Sequence, residues 1–239
     1  MFTAASHTPS VAAYLRDEMS PLEGDPELDH LFEIGCGSGL HLAWAKARGL
    51  RYHGLDLVAW PPDPGGAPAA DREGSPPRRG LHVGSSEDLH ALWIAEGLLP
   101  RRRATVIVFP FNCFGNLARP AKTAAEIART GARLYLSGFS ASPEATALRL
   151  EFYARSGYTD LRARAADRGS LITSAEGLHS WAYAERYLLD LLGSEGYSCD
   201  RRHDLAGIGA GLVFSPERSR AAEALAIEGP IRIDVEGPG

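Results

Sequence analysis

The sequence is poor in cysteine and in lysine. Cys36, Cys113 and Cys199 are its only cysteines in 239 residues, and they are too far apart to form a C-x-x-C pair. This spacing argues against a disulfide framework and against a cysteine-based zinc site, so no metal is predicted and a reducing, cytoplasmic compartment is expected. Lysine occurs only at Lys46 and Lys122, so the other basic residues are all arginine.

Two further absences narrow the function classes. No apolar run approaches the roughly 18 residues of a membrane span, so no membrane partner is predicted. The first 20 residues also lack the apolar core of a signal peptide. A formal net charge of −5 argues against nucleic acid as the main partner, because phosphate binding needs clustered basic side chains.

Short apolar runs alternate with helical stretches along the chain, which predicts an α/β domain. The strand-like runs are at 31–35, 52–57, 81–84, 105–111, 132–139, 198–204 and 208–214, and the predicted helices are at 40–48, 87–98, 143–156, 181–192 and 217–227. Proline and glycine crowd residues 60–80, which predicts a long irregular connection. Residues 157–180 alternate weakly and are expected to form a hairpin or a cap.

The most informative feature is a glycine-rich turn between the first strand and the first helix, in LFEIGCGSGLHLAWA at residues 31–45. Glycines allow the tight turn and the approach of a ligand to the main chain, and the following helix start favours an anionic group. The dinucleotide fingerprint G-x-G-x-x-G requires a third glycine at position 40, where the chain has Leu40. Gly35, Gly37 and Gly39 instead give G-x-G-x-G.

With Glu33 two residues before the first glycine, this pattern resembles the first motif of class I S-adenosylmethionine-dependent methyltransferases. The second strand ends at Asp56, which lies 21 residues after Gly35. The resemblance implies that Asp56 binds the ribose hydroxyls of the cofactor, that Leu57 packs on the adenine, and that Cys36 contributes its backbone. The same spacing also suits NAD enzymes, so it supports cofactor binding without separating the two classes.

The third and fourth strands extend this resemblance. The family commonly reads like G-D-A-E-D-L after the third strand, and here Ser85 and Ser86 stand at the acidic and small positions, near the adenine. TVIVFPFNCFGNL resembles the fourth-strand segment of several small-molecule methyltransferases. It implies that Phe109 and Pro110 line the sulfonium side, with Asn112 and Phe114 on the acceptor side.

The resemblance implies a Rossmann-like, mostly parallel seven-stranded sheet with an antiparallel last strand, flanked by helices and joined by a small cap. The predicted division is an N-terminal helical lid at 1–30, a methyltransferase domain at 31–215 with a cap insertion at about 140–180, and a tail at 216–239. Tyr14 in the lid is assigned to the cofactor site. The alternative for that segment is a helix packed on the sheet edge.

The sequence signals for acceptor-binding residues are less specific than the cofactor motifs. His179 and Tyr183 are the candidate catalytic residues, with His179 as a general base, because a histidine titrates near neutral pH and this segment often covers the acceptor pocket in the family. Trp181 is assigned to substrate binding. The alternative is a loop with packed aromatic side chains.

The leading interpretation is therefore methyl transfer from S-adenosylmethionine to the oxygen or nitrogen of a small-molecule acceptor. One alternative is a protein of this fold that binds the cofactor but acts as a scaffold, a regulator or a non-methylating catalyst. A less favoured alternative is an NAD-dependent oxidoreductase, which Leu40 disfavours. The oligomeric state is not predicted.

Overall fold

The computed structural model describes residues 7–58 and 80–217. In chain order the strands are β1 (His30–Ile34), β2 (Arg51–Asp56), β3 (Leu81–Val83), β4 (Thr105–Phe109), β5 (Arg133–Phe139), β6 (Arg162–Ala166), β7 (Gly169–Thr173), β8 (His179–Tyr183), β9 (Tyr197–Leu205) and β10 (Gly209–Pro216). The helices are α1 (Pro9–Asp17), α2 (Leu42–Ala47), α3 (Leu89–Ala95), α4 (Pro120–Thr130), α5 (Pro143–Arg155) and α6 (Glu185–Ser194). The connection predicted at 60–80 and the helix predicted at 217–227 lie almost wholly outside the described residues.

Seven of these strands form one sheet in the order β3-β2-β1-β4-β5-β10-β9. The first five are parallel, and β10 runs antiparallel to both β5 and β9. This confirms the predicted seven-stranded sheet with an antiparallel last strand. Among the described residues, no helix is both long and apolar enough to cross a bilayer.

The central strands β1 and β4 are buried along their whole length, so helices cover both faces of the sheet. Side chains alternate between the faces. Phe32 and Ile107 belong to the core that Trp93 of α3 completes, whereas Leu31 and Val106 belong to the core that contains Ala45 of α2. Helix α4 packs against both α3 and α6 on the first of these faces.

Local signals explain where several helices begin. The Ser142 hydroxyl accepts a hydrogen bond from Ala145 N at 3.2 Å, and Pro143 follows it at the first helical position of α5. The helix predicted at 87–98 is shorter than expected: a 3₁₀ turn at Ser86–Asp88 precedes α3. Helix α4 was not predicted, although Pro120 stands at its first position and its buried residues Thr123, Ala124, Ile127 and Thr130 recur at helical spacing.

A second, antiparallel sheet has the order β6-β7-β8 and is called the cap sheet below. The prediction of a helix at 181–192 is wrong at its start, because Trp181 and Tyr183 lie in β8 of this sheet and α6 begins only at Glu185. Both aromatic rings are buried, and Trp181 pairs with Leu171 of β7. The backbone of Ala184 is still extended at ψ 138°, so tertiary packing outweighs the helical period here.

The cap sheet is held from two sides. The guanidinium of Arg149, on α5, is wholly buried and donates to Ser170 O at 3.2 Å and to Ser180 O at 2.8 Å. On the other side, the turn after β4 contacts β8: Asn112 Nδ2 donates to Trp181 O at 2.9 Å. Gly115 lies directly against the same carbonyl, where an added Cβ would stand 1.9 Å from Trp181 O.

We therefore expect Gly115→Ala and Gly193→Ala to change stability in opposite directions. Gly115 has no room for a methyl group, so Gly115→Ala should lower the free energy of unfolding by about 1–3 kcal/mol. Gly193 lies in α6 with nothing within 4 Å of the position that a Cβ would take, so Gly193→Ala should raise that energy by roughly 0.5–1 kcal/mol. Urea denaturation of both variants checks this, and equal effects would contradict the close packing at Gly115.

Candidate functional site

The parallel strands β1, β2 and β4 end at one edge of the sheet, where ligands of open α/β sheets bind. The glycine loop, residues 35–39, follows β1 at this edge. Asp56 is the last residue of β2, and Phe109 is the last residue of β4. The residues predicted to contact the cofactor are thus brought to neighbouring strand ends.

The backbone of the glycine loop requires glycine at three positions. Gly35, Gly37 and Gly39 have φ values of +73°, +52° and +96°, a region that residues with a Cβ enter at a cost. A Cβ at Gly35 would also lie 2.5 Å from the sulfur of Cys113. Cys36 contributes its backbone to the turn, since its carbonyl accepts from Gly39 N at 2.7 Å and from Leu40 N at 3.0 Å. The loop is therefore a tight backbone cradle whose conformation and packing require glycine.

The Asp56 carboxylate borders this cradle. Its Oδ2 atom accepts from Gly37 N at 2.8 Å, and its Oδ1 atom accepts from Val58 N at 3.3 Å. Beside it, three apolar side chains at the ends of β2 and β3 are well exposed: Leu57 at 74%, Val58 at 60% and Val83 at 64%. A carboxylate next to an uncovered apolar surface matches a nucleoside, whose ribose is polar and whose base is flat and apolar.

The two serines after β3 form hydrogen bonds within the protein. Ser85 Oγ accepts from Glu87 N at 3.1 Å and so caps the 3₁₀ turn that begins at Ser86. Ser86 is buried, and its hydroxyl lies 3.2 Å from Thr123 Oγ1 on α4. Both hydroxyl groups therefore position the start of α3.

A buried Glu–His–Glu cluster, formed by Glu18, His41 and Glu33, lies beneath the glycine loop. His41 Nδ1 is 2.9 Å from Glu33 Oε1, and His41 Nε2 is 3.3 Å from Glu18 Oε2. Glu33 also accepts from the backbone N–H of His41 at 3.1 Å and from the hydroxyl of Tyr52. Its carboxylate thus supports the loop and the start of α2 from inside the protein.

Electrostatics make His41 the cationic member of this cluster. Burial by itself lowers the pKa of His41, but the hydrogen bonds to Glu18 and Glu33 outweigh burial and raise that pKa to about 9. At neutral pH an imidazolium therefore separates two buried carboxylates. Sequence reasoning missed Glu18, because its partners lie far away along the chain and no local motif marks it.

Glu18 also stabilises the backbone of the turn after β4. It accepts from Phe111 N at 2.5 Å and from the hydroxyl of Ser137. Phe111 and Asn112 have φ values of 44° and 61°, and Pro110 has no N–H to donate. The strand predicted to reach 111 therefore ends at Phe109. This turn carries the chain toward the cap sheet from the edge of the sheet where the glycine loop and Asp56 are predicted to bind the cofactor, called the cofactor edge below.

Tyr14, from the segment predicted to form a lid, packs inside the protein at this same edge. Its ring is fully buried, stacks on Phe139 with ring centroids 5.3 Å apart, and meets Phe111 edge-on at 5.7 Å. Burial raises the pKa of the Tyr14 phenol well above its usual value. Helix α1 is thereby held against the ends of β4 and β5.

A cavity of about 450 Å³ opens beside the cofactor edge, between the ends of β5 and β10, the turn after β4, and α6. Its walls include Asn112, Phe114, Ser137, Tyr183, Glu185 and Arg202. Phe114 packs edge-on against Phe109 at 5.2 Å, which joins the cavity to the end of β4. None of the described lining residues belongs to the glycine loop, so the cavity adjoins the cofactor edge and does not overlap it.

The residues predicted for the acceptor side fall into two groups. Asn112, Phe114 and Tyr183 line the cavity, whereas His179 and Trp181 are not among its lining residues. His179 is exposed at the first position of β8. Burial, and then the neighbouring Tyr187, raise the pKa of Tyr183 to about 12, so its phenol stays protonated and can donate a hydrogen bond.

No family model and no curated protein sequence matches the chain. Solved structures do match. A Burkholderia thailandensis 1,6-didemethyltoxoflavin-N1-methyltransferase, crystallised with that compound and S-adenosylhomocysteine, is 15% identical, with 87% of this chain and 78% of that one covered and a TM-score of 0.55. The magnesium protoporphyrin IX methyltransferase of Synechocystis PCC 6803, crystallised with S-adenosylhomocysteine, is 14% identical, with 87% and 85% covered and a TM-score of 0.52. The protein PH0226 of Pyrococcus horikoshii OT3 is 11% identical, with 88% and 93% covered and a TM-score of 0.57. At these identities the likeness establishes the fold, which is the Rossmann-like fold of class I methyltransferases.

The Glu–His–Glu cluster predicts a specific pH dependence of stability. The pKa of His41 is about 9 in the folded chain and roughly 6.5 in the unfolded chain. The contribution of the imidazolium is therefore complete below pH 6.5 and is lost as the pH rises through 9. We expect the free energy of unfolding to fall by on the order of 2–3 kcal/mol across this window, measured by urea denaturation.

Glu18→Gln is the matched variant, because it removes one carboxylate and should move the loss of stability to lower pH. An NMR titration of the imidazole signals of both proteins measures the pKa of His41 directly. A His41 that titrates near pH 6.5 in the unmodified chain would contradict the cluster as described.

Proposed function

We propose that this chain transfers a methyl group from S-adenosylmethionine to a small-molecule acceptor. The observation that carries the proposal is the glycine loop with Asp56 at the carboxyl edge of a methyltransferase fold, beside a separate cavity that starts at Asn112. Two proteins of similar fold hold S-adenosylhomocysteine in their crystal structures, which supports the choice of cofactor.

The residues present fit this cofactor. The positive φ of Gly35, Gly37 and Gly39 lets the main chain turn tightly with no Cβ in the way of a ligand, and the Asp56 carboxylate suits two ribose hydroxyls. The exposed Leu57 and Val83 side chains offer an apolar surface to the adenine. When bound, the cofactor supplies an electrophilic methyl group on a sulfonium sulfur.

The task of the protein is then to align two reactants and to exclude water. Holding two reactants in line contributes roughly 7–11 kcal/mol to lowering a barrier, without any dedicated base. The turn at Phe109–Asn112 lies between the cofactor edge and the cavity. Its backbone is held by Glu18 and by Ser137, whose carbonyl accepts from Asn112 N at 3.0 Å.

The cavity supports a small, partly planar acceptor. A volume of about 450 Å³ lies within the range of small-molecule sites, roughly 300–1,000 Å³. Tyr183 stacks on Tyr187 with ring centroids 4.8 Å apart and offers an aromatic wall. The rim is polar, since Glu185 and Arg202 form an ion pair at 2.8 Å. An acceptor with a hydroxyl or amine group on a ring suits these walls, and the protonated Tyr183 phenol would be its hydrogen-bond donor.

Asp56→Ala should weaken the binding of S-adenosylhomocysteine by roughly 10–150-fold, because two charge-assisted hydrogen bonds to the ribose are lost. Isothermal titration calorimetry measures the dissociation constants. Asp56→Asn separates ribose binding from loop support, since its amide oxygen still accepts from Gly37 N while the charge is removed. The control is Asp190→Ala, because Asp190 lies exposed on α6.

Three results would overturn parts of the proposal. An unchanged dissociation constant in Asp56→Ala removes this carboxylate from the site. Binding of NAD in place of S-adenosylhomocysteine favours the oxidoreductase. Binding of S-adenosylmethionine without release of S-adenosylhomocysteine across a panel of hydroxylated and aminated ring compounds favours a binding protein that does not methylate.

The position of Tyr183 predicts an effect on acceptor binding. Tyr183→Leu removes the aromatic wall of the cavity, so the KM for the acceptor should rise by about tenfold or more while the affinity for S-adenosylhomocysteine stays within about threefold.

His179→Ala tests whether His179 is a general base. A general base would cost roughly 10²–10⁴ in turnover, whereas the exposed position of His179 predicts a change below about threefold. Steady-state kinetics between pH 6 and 9 distinguish the two, and a large, pH-dependent loss in His179→Ala would restore it as the base.

A further inference from the structure

Two histidines and a glutamate converge on the α3 face of the sheet, away from the glycine loop. His53 lies in β2 and His82 in β3, and their rings stack nearly parallel with centroids 5.6 Å apart. Glu96 follows the last residue of α3. His53 precedes Asp56 by three residues, which is about 10 Å along a strand, so this cluster is separate from the proposed methyl-transfer site.

The spacing of the three side chains matches that of metal ligands. His53 Nε2 is 3.6 Å from Glu96 Oε2, and His82 Nδ1 is 3.8 Å from Glu96 Oε1. One ligand atom from each residue lies within 4.8 Å of the other two. Ligands at 2.0–2.2 Å from a tetrahedral Zn²⁺ stand roughly 3.3–3.5 Å apart, so side-chain shifts that shorten these separations by up to about 1.5 Å would close the set.

A chain of hydrogen bonds, called the relay below, lies behind His53 and orients its ring so that the Nε2 atom faces Glu96. Thr105 Oγ1 donates its single proton to Arg101 O at 3.0 Å and so accepts from His30 Nδ1 at 3.1 Å. His30 Nε2 lies 2.6 Å from His53 Nδ1, and a single proton between these two nitrogens completes the chain of hydrogen bonds. Ligating histidines are commonly oriented by such a second hydrogen bond.

Beyond this relay, His53 Nε2 faces a carboxylate oxygen of Glu96 at 3.6 Å, which is too long for a good hydrogen bond. His82 Nδ1 lies 3.8 Å from the other oxygen of that carboxylate. A cation held between His53 Nε2, His82 Nδ1 and Glu96 would accept an electron pair from each of them.

We propose that His53, His82 and Glu96 bind one divalent transition-metal ion of the Zn²⁺ type. Two imidazoles and one carboxylate suit Zn²⁺ better than Mg²⁺ or Ca²⁺, which prefer oxygen ligands alone. The side chains are 18%, 19% and 33% exposed, so water can reach a fourth position. The ion would join the short edge strand β3 to β2 and α3, and this role is independent of methyl transfer.

The test is a titration of the full chain with Zn²⁺ after dialysis against EDTA, using a chromophoric competing chelator. One ion per chain should bind, and the melting temperature should rise with Zn²⁺ but not with Mg²⁺, because a ligand that binds the folded state stabilises it. Co²⁺ in place of Zn²⁺ should give the visible absorption of a four-coordinate site.

Four variants locate the ion. His82→Ala and Glu96→Gln should each abolish the one-ion stoichiometry, whereas His203→Ala, which removes an exposed histidine of β9, should retain it. Thr105→Val breaks the relay and should weaken Zn²⁺ binding by about 10–100-fold. Thermal melts without metal verify that each variant is folded. The proposal would be overturned if the unmodified chain binds no Zn²⁺, or if His82→Ala and Glu96→Gln bind Zn²⁺ as tightly as the unmodified chain does.

Discussion

The site is built on one buried interaction, in which the His41 imidazolium separates the carboxylates of Glu18 and Glu33. Each carboxylate also holds a backbone N–H at the carboxyl edge of the sheet: Glu33 accepts from His41 at the start of α2, and Glu18 accepts from Phe111 in the turn after β4. Removing the cation would leave two like charges in the protein interior, which is costly. The glycine loop, the N-terminal segment and the turn therefore depend on the same cluster for their relative positions.

The turn after β4 divides the site into two parts. On one side lie the glycine loop and Asp56, whose geometry is set by backbone conformation and suits a nucleoside. On the other side lies the cavity, whose walls come from the cap sheet, α6 and the last strands. Asn112 links the parts, because its backbone is held by β5 and its side chain holds β8. Under the proposed function, changes in the cap sheet would therefore alter the choice of acceptor while the glycine loop and Asp56 keep their structure.

The features that could be predicted from the sequence are those with local causes. Glycines that need positive φ, and an aspartate at the end of a strand, are visible as Gly35–Gly39 and Asp56. The segment from Trp181 to Leu192 has a helical period, yet Trp181 and Tyr183 form a strand because they are buried in the cap sheet. Contacts such as Glu18 with Phe111, or His53 with Glu96, join distant parts of the chain and leave no local pattern. The roles of Glu18 and Glu96 could not be predicted for this reason.

The most direct measurement is a crystal structure of the chain with S-adenosylhomocysteine. We expect the ribose hydroxyls to bind Asp56, the adenine to cover Leu57 and Val83, and the sulfur to face the turn at Phe109–Asn112, with the 450 Å³ cavity open beyond it. Asp56 would then share or release its hydrogen bond with Gly37 N. A ligand bound away from the glycine loop, or a sulfur directed away from that turn, would contradict this assignment of the site.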